Sequence, residues 1–117
     1  MVELFKALSD ETRLRMLSLL LDGEMCVCEI EDYLGLTQSN ASRHLNALKN
    51  AGILSSSKHA QWTYYRLNEK FSHENQKLIG YLSEKFKALP TYEADHHKKE
   101  TCEQADLCGK KGADYNE

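Results

Sequence analysis

The chain has 117 residues, of which 41% are hydrophobic, and a formal net charge of −3. This length fits one domain that buries a small core, and the single proline is typical of a mostly helical globular chain. The longest purely apolar run is Leu19 to Leu21, far too short to span a membrane. Residues 1–10 lack the basic start and apolar run of a signal peptide. We therefore predict a cytoplasmic protein with no membrane partner.

The charge is distributed unevenly along the chain. Residues 1–36 carry three basic and eight acidic side chains, whereas residues 37–66 carry four basic side chains and no acidic one. A segment without carboxylates is typical of a surface that faces phosphate groups. The overall negative charge therefore does not argue against nucleic acid as a partner.

The first half of the chain has the apolar spacing of four helices. Leucines and other apolar residues recur every three or four positions, and three of these runs stop just before Gly23, Gly35 or Gly52. Ser9 and Asp10 are suited to begin the second helix, and Thr37 is suited to cap the fourth. The predicted helices cover residues 2–9, 10–22, 26–34 and 38–50.

The pattern changes in the second half of the chain. Residues 53–67 alternate and are rich in Ser, Thr and aromatic residues, which predicts a two-stranded hairpin turning near His59 to Gln61. A long helix is expected over residues 69–89, ending before Pro90, with an apolar stripe. The stripe comprises Phe71, Leu78, Leu82, Phe86 and Leu89. We expect a folded domain over residues 1–89 and a flexible, cysteine-containing C-terminal tail over residues 90–117.

Two helices joined by the short connection GLTQ and followed by a hairpin predict a winged helix-turn-helix: mainly α with a small β-hairpin. In this fold the second helix enters the major groove of double-stranded DNA with its N-terminus first. Amide, hydroxyl and guanidinium side chains there can read base edges. The alternative is an ordinary solvated helix face. The candidate DNA-binding residues are Gln38, Ser39, Asn40, Ser42, Arg43 and His44 on the helix, Lys58, His59 and Gln61 on the hairpin, and Arg66 for phosphate.

Cys26 and Cys28 stand at the start of the third predicted helix. A helix N-terminus lowers thiol pKa values, and the thiolate is the form that binds metals. On an intact helix the two side chains would point about 200° apart. We therefore expect that both sulfurs reach one ion only if the first helical turn loosens, which would couple ion binding to the adjacent DNA-reading helix. The alternative is that one cysteine is simply a small buried side chain.

Four stretches of the chain, LFKALSDETRLRMLSLL, EMCVCEI, TQSNASRHLNALKNAGIL and WTYYRL, together resemble the ArsR–SmtB family of metal-sensing repressors. The resemblance covers residues 3 to about 89. It implies a homodimer that is joined through its first and last helices, binds an inverted repeat in operator DNA and releases it when metal arrives. Gln38, Ser39, Ser42 and His44 fall on the positions that usually read DNA in this family. The Cys-x-Cys pair is similar to those of arsenic and antimony sensors, and also to those of cadmium and lead sensors.

The sequence departs from the patterns of these sensors in three places. The position at which arsenic sensors of the best-known type carry a third cysteine is Glu31. Cadmium and lead sensors add cysteines from an N-terminal arm, and here the first predicted helix begins at once. Zinc sensors carry Asp, His and Glu ligands in a fixed arrangement on the last helix; no such set is found between residues 68 and 89, where His73 is the single histidine. The remaining ligands must therefore be sought elsewhere in the chain.

The C-terminal tail offers Cys102 and Cys108 in the stretch TCEQADLC. Our hypothesis is a three-thiolate site for As(III) or Sb(III) that is made of Cys26, Cys28 and one tail cysteine, from the same subunit or its partner. Two alternatives remain: a tetrahedral site for Cd(II), Pb(II) or Zn(II) made of all four thiolates, and a thiol-redox or persulfide sensor. His96 and His97 could join a site with nitrogen ligands, but adjacent histidines in a charged tail are usually solvated. The sequence has none of the motifs expected of an enzyme.

Overall fold

The described part of the chain is a helical domain with one small antiparallel sheet. The structure, a computed structural model, describes residues 1–97. Residues 92–97 are helical as well. The elements in chain order are α1 (Val2–Leu8), α2 (Glu11–Leu20), β1 (Met25–Cys26), α3 (Val27–Leu34), α4 (Gln38–Asn50), β2 (Leu54–His59), β3 (Trp62–Leu67), α5 (Glu69–Glu74) and α6 (Gln76–Phe86). This arrangement confirms the predicted winged helix-turn-helix.

The core holds α4 in place through its apolar face. Leu45 and Leu48 of α4 are fully buried, together with Met16 and Leu17 of α2 and Ile30 of α3. Burying side chains of this size contributes roughly 1.5–3 kcal/mol each. Because one face of α4 is fixed in this way, its polar face is turned toward solvent.

Side-chain caps set the start of α2 and of α4. The Asp10 carboxylate accepts a hydrogen bond from the backbone N–H of Arg13 at 3.1 Å and begins α2. The Thr37 hydroxyl accepts one from the N–H of Asn40 at 3.2 Å and begins α4 at the predicted residue. These bonds satisfy backbone donors that have no partner within the helix.

Gly35 ends α3 and sets the sharp turn into α4. Its backbone is in the left-handed region, with φ at 67°. We expect Gly35→Ala to lower the free energy of unfolding by about 1–2 kcal/mol, because a Cβ strains this conformation. Gly35→Asn should cost less, since asparagine tolerates left-handed backbone. Chemical denaturation of both variants checks the order, and equal losses would contradict the explanation.

The sheet has three strands, whereas a two-stranded hairpin is expected from the sequence. The predicted hairpin is present as β2 and β3, but β1 also pairs with β3, so the strand order is β1-β3-β2. In this register Met25 lies opposite Tyr65 and Cys26 opposite Tyr64. A two-residue strand is too short to show an alternating pattern, which is why the sequence does not reveal it. The extra strand joins Cys26 to the β2–β3 hairpin, which is the wing of this fold.

The predicted single helix over residues 69–89 is wrong, because the chain breaks at Asn75 into α5 and α6. Asn75 has φ −128° and ψ 40°, and its side-chain amide donates to the carbonyl of Phe71 at 3.0 Å. Such local side-chain bonds compete with the helical pattern. Of the predicted stripe, Phe71 and Phe86 are buried in the core of this chain, and the three leucines pack against that core.

The start of the predicted tail is folded onto α2. Within residues 92–97, the Asp95 side chain is buried and receives two hydrogen bonds from Arg15, at 2.8 and 3.0 Å. The remainder of the predicted tail, including Cys102 and Cys108, lies outside the described residues. No helix within the described range is both long and apolar enough to cross a membrane.

Candidate DNA-binding surface and thiol site

The first two turns of α4 present a polar surface. Gln38, Ser39, Asn40 and Arg43 are exposed, and Ser42 is half-buried. The Arg43 guanidinium lies 3.4 Å from the side-chain oxygen of Asn40. The structure therefore brings five of the six predicted residues of this helix to one solvent-facing patch, and it does so at the N-terminal end that enters a major groove in this fold.

His44 does not belong to that patch. The sequence pattern predicts base contacts for it, but the residue is only 6% exposed and its ring lies against α2. The Nε of Arg13 donates to the ring Nδ1 at 3.1 Å. Position 44 is three residues after Ala41 and four before Leu48, so helical geometry turns it toward the core. Its partner Arg13 was missed by the sequence analysis because the pair is far apart in sequence.

The surroundings of His44 oppose protonation of its ring. Burial lowers the pKa of His44 below its ordinary value of 6.5, and the positive charges of Arg43 and Arg13 lower it further, while Asp10 opposes this shift. The Asp10 carboxylate is 3.9 Å from Nδ1. A neutral ring agrees with Nδ1 accepting the hydrogen bond from Arg13.

We expect the domain to lose stability in mild acid through His44. Its folded-state pKa is below 6.5, so the unfolded chain takes up a proton before the folded one does. The contribution is full above about pH 6.5 and is lost as the pH falls through the folded pKa. The free energy of unfolding should decline less steeply below pH 6.5 in His44→Gln than in the wild type. An unchanged slope in His44→Gln would contradict the assignment.

The wing turn carries the other predicted DNA contacts. Lys58, His59 and Gln61 are exposed around the β2–β3 turn, where Ala60 adopts a left-handed backbone with φ at 58°. Arg66 lies further along β3, with its side chain 45% exposed and a guanidinium nitrogen 3.9 Å from a Glu24 carboxylate oxygen. The structure therefore groups the three turn residues together and sets Arg66 apart from them.

The two cysteines of the pair meet at the start of α3. Their Sγ atoms are 2.9 Å apart. Cys26 is the N-cap residue, with extended backbone at φ −74° and ψ 148°, and Cys28 is in the first helical turn. The expectation that the helix must loosen is therefore wrong, because it treated both residues as helical. The extended residue at the cap brings both sulfurs to the same side while the helix stays intact.

Glu29 holds the helix start and was missed by the sequence analysis. It is buried, and its carboxylate accepts from the backbone N–H of Cys26 at 2.9 Å and from the Tyr33 hydroxyl at 3.3 Å. Cys26 and Glu29 form a capping box. The three-residue spacing was a usable signal, although serine or threonine usually takes the cap position. The result is a rigid support for the cysteine pair.

A cavity of about 250 Å³ connects the cysteine pair to the DNA-facing elements. Its walls include both cysteines, Gln38 and Ser42 from the reading helix, and Gln61 from the wing turn. The remaining lining residues are Val27, Glu31, Trp62, Thr63 and Tyr65. An ion or group held by the sulfurs would therefore lie beside side chains from α3, α4 and β3 at once.

The predicted metal site lies only partly within the described residues, which include Cys26 and Cys28 but not Cys102 and Cys108. Between residues 1 and 97 there is no group of three or more His, Cys, Asp and Glu side chains that could hold an ion. His96 instead lies against Ser18, with its Nε2 3.0 Å from the hydroxyl. Two adjacent sulfurs suit a thiophilic ion, and a third ligand from outside residues 1–97 would complete the predicted three-thiolate site.

Comparison with known proteins identifies the family. Residues 10–56 match the arsR family of bacterial regulatory proteins. The chain is 51% identical over 65 residues to the arsenic resistance transcriptional regulator ArsR1 of Pseudomonas putida, covering 55% of this chain and 51% of that protein. It is 44% identical over 79 residues to the arsenical resistance operon repressor of Escherichia coli, covering 67% and 68% of the two chains. It is also 41% identical over 69 residues to a CadC homolog of Staphylococcus aureus, a cadmium resistance regulatory protein, covering 58% and 57%.

The fold comparison agrees with this result. The solution structure of Mb0332 from Mycobacterium bovis, a homodimeric winged helix-turn-helix DNA-binding domain, has a TM-score of 0.63 at 28% identity. The similarity covers 72% of this chain and 78% of that one. The family consists of DNA-binding regulators rather than enzymes. The chain therefore belongs to the ArsR family of transcriptional regulators.

Proposed function

We propose that this protein is a metalloid-responsive repressor that binds operator DNA as a homodimer and releases it when As(III) or Sb(III) binds its cysteine thiolates. The observation that carries the proposal is the cysteine pair, with sulfurs 2.9 Å apart, on a cavity shared with Gln38 and Ser42 of the reading helix. The names of the arsenic-resistance relatives support the choice of inducer.

DNA binding is assigned to the exposed patch of α4 and to the wing. Gln38, Asn40 and Arg43 are suited to base edges, because amides pair with adenine and guanidinium with guanine. Lys58 at the wing turn is suited to phosphate. This surface carries basic and neutral polar side chains, and residues 37–66 contain no carboxylate.

The homodimer would place two reading helices on an inverted repeat. Support comes from apolar side chains left exposed on α1 and α6 of the single chain. Val2 is 64% exposed, Phe5 is 55% exposed and Tyr81 is 59% exposed. Side chains of this kind gain free energy when a second copy covers them. Two-fold symmetry of the protein then matches two half-sites in the DNA.

Inducer binding would act by separating the two sulfurs. They are 2.9 Å apart, and two thiolates that bind one ion through bonds of about 2.3 Å would have to move further apart. Cys26 is fixed by the β1–β3 pairing and the Glu29 cap. The displacement would therefore fall on Cys28 at the start of α3, which packs against α4. A shift at this cavity wall would reposition Gln38 and Ser42, which line the same cavity.

The proposal is tested by titrating the protein–DNA complex with inducers. DNA from the promoter of its own operon, labelled for fluorescence anisotropy, is saturated with reduced full-length protein. Arsenite, antimonite, Cd(II), Pb(II) and Zn(II) are then added separately. We expect release by arsenite and antimonite at stoichiometric concentrations. Failure of both to release DNA would overturn the proposal.

A cadmium or lead sensor is the second candidate, and the similarity to the CadC homolog favours it. All four cysteines would then supply a tetrahedral four-sulfur site, which these softer divalent ions accept. The same titration distinguishes the metalloid sensor from the cadmium or lead sensor. Release of DNA by Cd(II) or Pb(II) without release by arsenite would identify a cadmium or lead sensor. A persulfide or redox sensor would instead release DNA after oxidant treatment without any ion.

Substitution of Lys58, at the turn of the wing, tests the proposed DNA-binding surface independently of the inducer. Lys58→Ala should weaken binding about equally for operator and unrelated DNA and should reduce the slope of log K against log salt by about 1 per copy. The cause is the loss of one phosphate contact, which carries no sequence information. A salt titration of both DNAs measures this. An unchanged slope would remove Lys58 from the interface.

A further inference from the structure

The buried ring of His44 lies between two arginines. The Nε of Arg13, on α2, is 3.1 Å from the ring Nδ1, and the Nη2 of Arg43, the residue before His44 on α4, is 3.3 Å from the ring Nε2. Arg13 is half-buried, whereas Arg43 is exposed on the surface proposed to bind DNA. The ring therefore connects α2 to a residue that is proposed to contact bases.

Only one of these two arginines can form a hydrogen bond with the neutral ring. A guanidinium has donors and no acceptor, and a neutral imidazole has one acceptor nitrogen and one N–H group. Because Arg13 donates to Nδ1, Nδ1 is the acceptor and Nε2 carries the proton. The Nε2 of His44 and the Nη2 of Arg43 then face each other as two donors, at 3.3 Å. In this tautomer His44 does not hold the guanidinium of Arg43.

Arg13 is itself fixed by neighbouring groups. Its Nη1 donates to the backbone carbonyl of Ala7 at 3.4 Å, and its backbone N–H donates to the Asp10 carboxylate at 3.1 Å. A guanidinium is a planar, rigid set of donors, so a bond to Ala7 also sets the direction of the Nε that faces His44. The end of α1 and the start of α2 therefore determine which ring nitrogen accepts.

The other tautomer of His44 would engage Arg43. With the proton on Nδ1, the ring would face the Asp10 carboxylate, 3.9 Å away, and Nε2 would accept a hydrogen bond from Arg43. This internal bond would have to break before the guanidinium could pair with its cognate base. A non-cognate base, which forms no such pair, would leave the internal bond intact. The preference of the protein for the cognate base would therefore fall.

We infer that Arg13 is a positioning residue that fixes the tautomer of His44 and so keeps the guanidinium of Arg43 available for base contacts. The inference rests on the DNA-binding role proposed for Arg43. It gives a residue of α2 an effect on sequence specificity that acts through the ring of His44 and requires no contact between Arg13 and DNA.

The first test is the tautomer of His44 in the full-length reduced protein. It is measured by nitrogen NMR on protein with isotope-labelled histidine, at mildly alkaline pH, and His44→Gln identifies the signals. The wild-type ring should carry its proton on Nε2. Arg13→Met removes the donor and keeps an unbranched side chain, so the proton should move to Nδ1. A wild-type ring protonated on Nδ1 would overturn the inference, as would a ring that stays protonated on Nε2 in Arg13→Met.

The second test is base discrimination, measured by fluorescence anisotropy. Operator DNA is compared with operator that carries one base change in one half-site, chosen as the change that costs the wild type most and Arg43→Ala least. Arg13→Met should lower this discrimination about two- to tenfold, because the internal bond of Arg43 must break before the base is bound. In an Arg43→Ala background the same substitution should have no further effect on discrimination.

Arg15→Met is the matched control for a general effect on the fold. Arg15 lies two residues later on α2 and is paired with Asp95, at 2.8 Å, instead of with His44. Its loss should lower the free energy of unfolding, because it leaves the buried Asp95 without its partner. The tautomer of His44 and the base discrimination should stay as in the wild type. All comparisons are made at a temperature at which circular dichroism shows the variants to be folded.

The outcomes separate this inference from the proposed function. Wild-type discrimination by Arg43→Ala at every base pair would overturn both the DNA-binding role of Arg43 and the inference. A loss of discrimination in Arg43→Ala without a loss in Arg13→Met would overturn the inference alone. Equal losses in Arg13→Met and Arg15→Met would also overturn it, because Arg13 would then act only through the stability of α2.

Discussion

Cys28→Ser should abolish release of DNA by arsenite while leaving DNA binding unchanged. Serine lacks the soft sulfur ligand, and loss of even an outer partner of a metal site costs about 10–100-fold in affinity. Loss of a direct ligand should therefore raise the arsenite concentration for half-release by more than about a hundredfold. Cys28 is the better choice than Cys26, because Cys26 is 1% exposed and also caps α3. Anisotropy titrations of the DNA complex give the comparison.

Val27→Ala is the matched control for that experiment. Val27 lies between the two cysteines and lines the same cavity, but it has no group that can bind the ion. The variant should keep the arsenite response within a few-fold. A Cys28→Ser protein that still releases DNA like the wild type would remove the cysteine pair from the inducer site.

Arg43→Ala should produce the largest loss of DNA affinity among the exposed residues of α4. A bidentate contact to guanine is worth about 1–3 kcal/mol, and a homodimer loses it twice. The two contacts are far apart, so their losses should add to about 2–6 kcal/mol, which gives roughly thirtyfold to twenty-thousandfold weaker operator binding. Specificity at the contacted base pair should relax as well. Anisotropy on the operator and on single-base variants measures both effects.

Lys49→Ala separates this base contact from a general loss of positive charge. Lys49 is on the same helix and is exposed, but it lies at the C-terminal end, away from the major groove. Its loss should weaken operator binding only slightly. Equal losses for Arg43→Ala and Lys49→Ala would mean that α4 does not enter the groove with its N-terminus first.

The start and the buried face of α4, the helix proposed to read DNA, could be predicted from local sequence signals. Thr37 has a side chain suited to capping, and the apolar spacing of Ala41, Leu45 and Leu48 defines the buried face. Both signals act within one or two helical turns, so a single sequence contains them. The same spacing would have placed His44 on the core side, but its polar character suggested a base contact.

The geometry of the cysteine pair depended on contacts that local patterns do not reveal. Cys26 is extended because β1 pairs with β3, and its partner Tyr64 lies 38 positions later in the sequence. A strand of two residues has no period to detect. The pairing of Arg15 with Asp95 is likewise long-range, whereas the break at Asn75 depends on a side-chain bond to Phe71 within about one helical turn. The geometry of the cysteine pair therefore depends on a long-range strand pairing, which the sequence alone does not show.

The most direct test of the central claim, that inducer binding and DNA binding oppose each other, is the arsenite affinity of the protein with and without operator DNA. Coupling between two sites is reciprocal, so arsenite must lose the same factor in affinity on DNA that DNA loses in the presence of arsenite. Our account predicts a common factor of about 5–150. Equal arsenite affinity for the free and DNA-bound protein would show that the cysteine site does not control the reading helix.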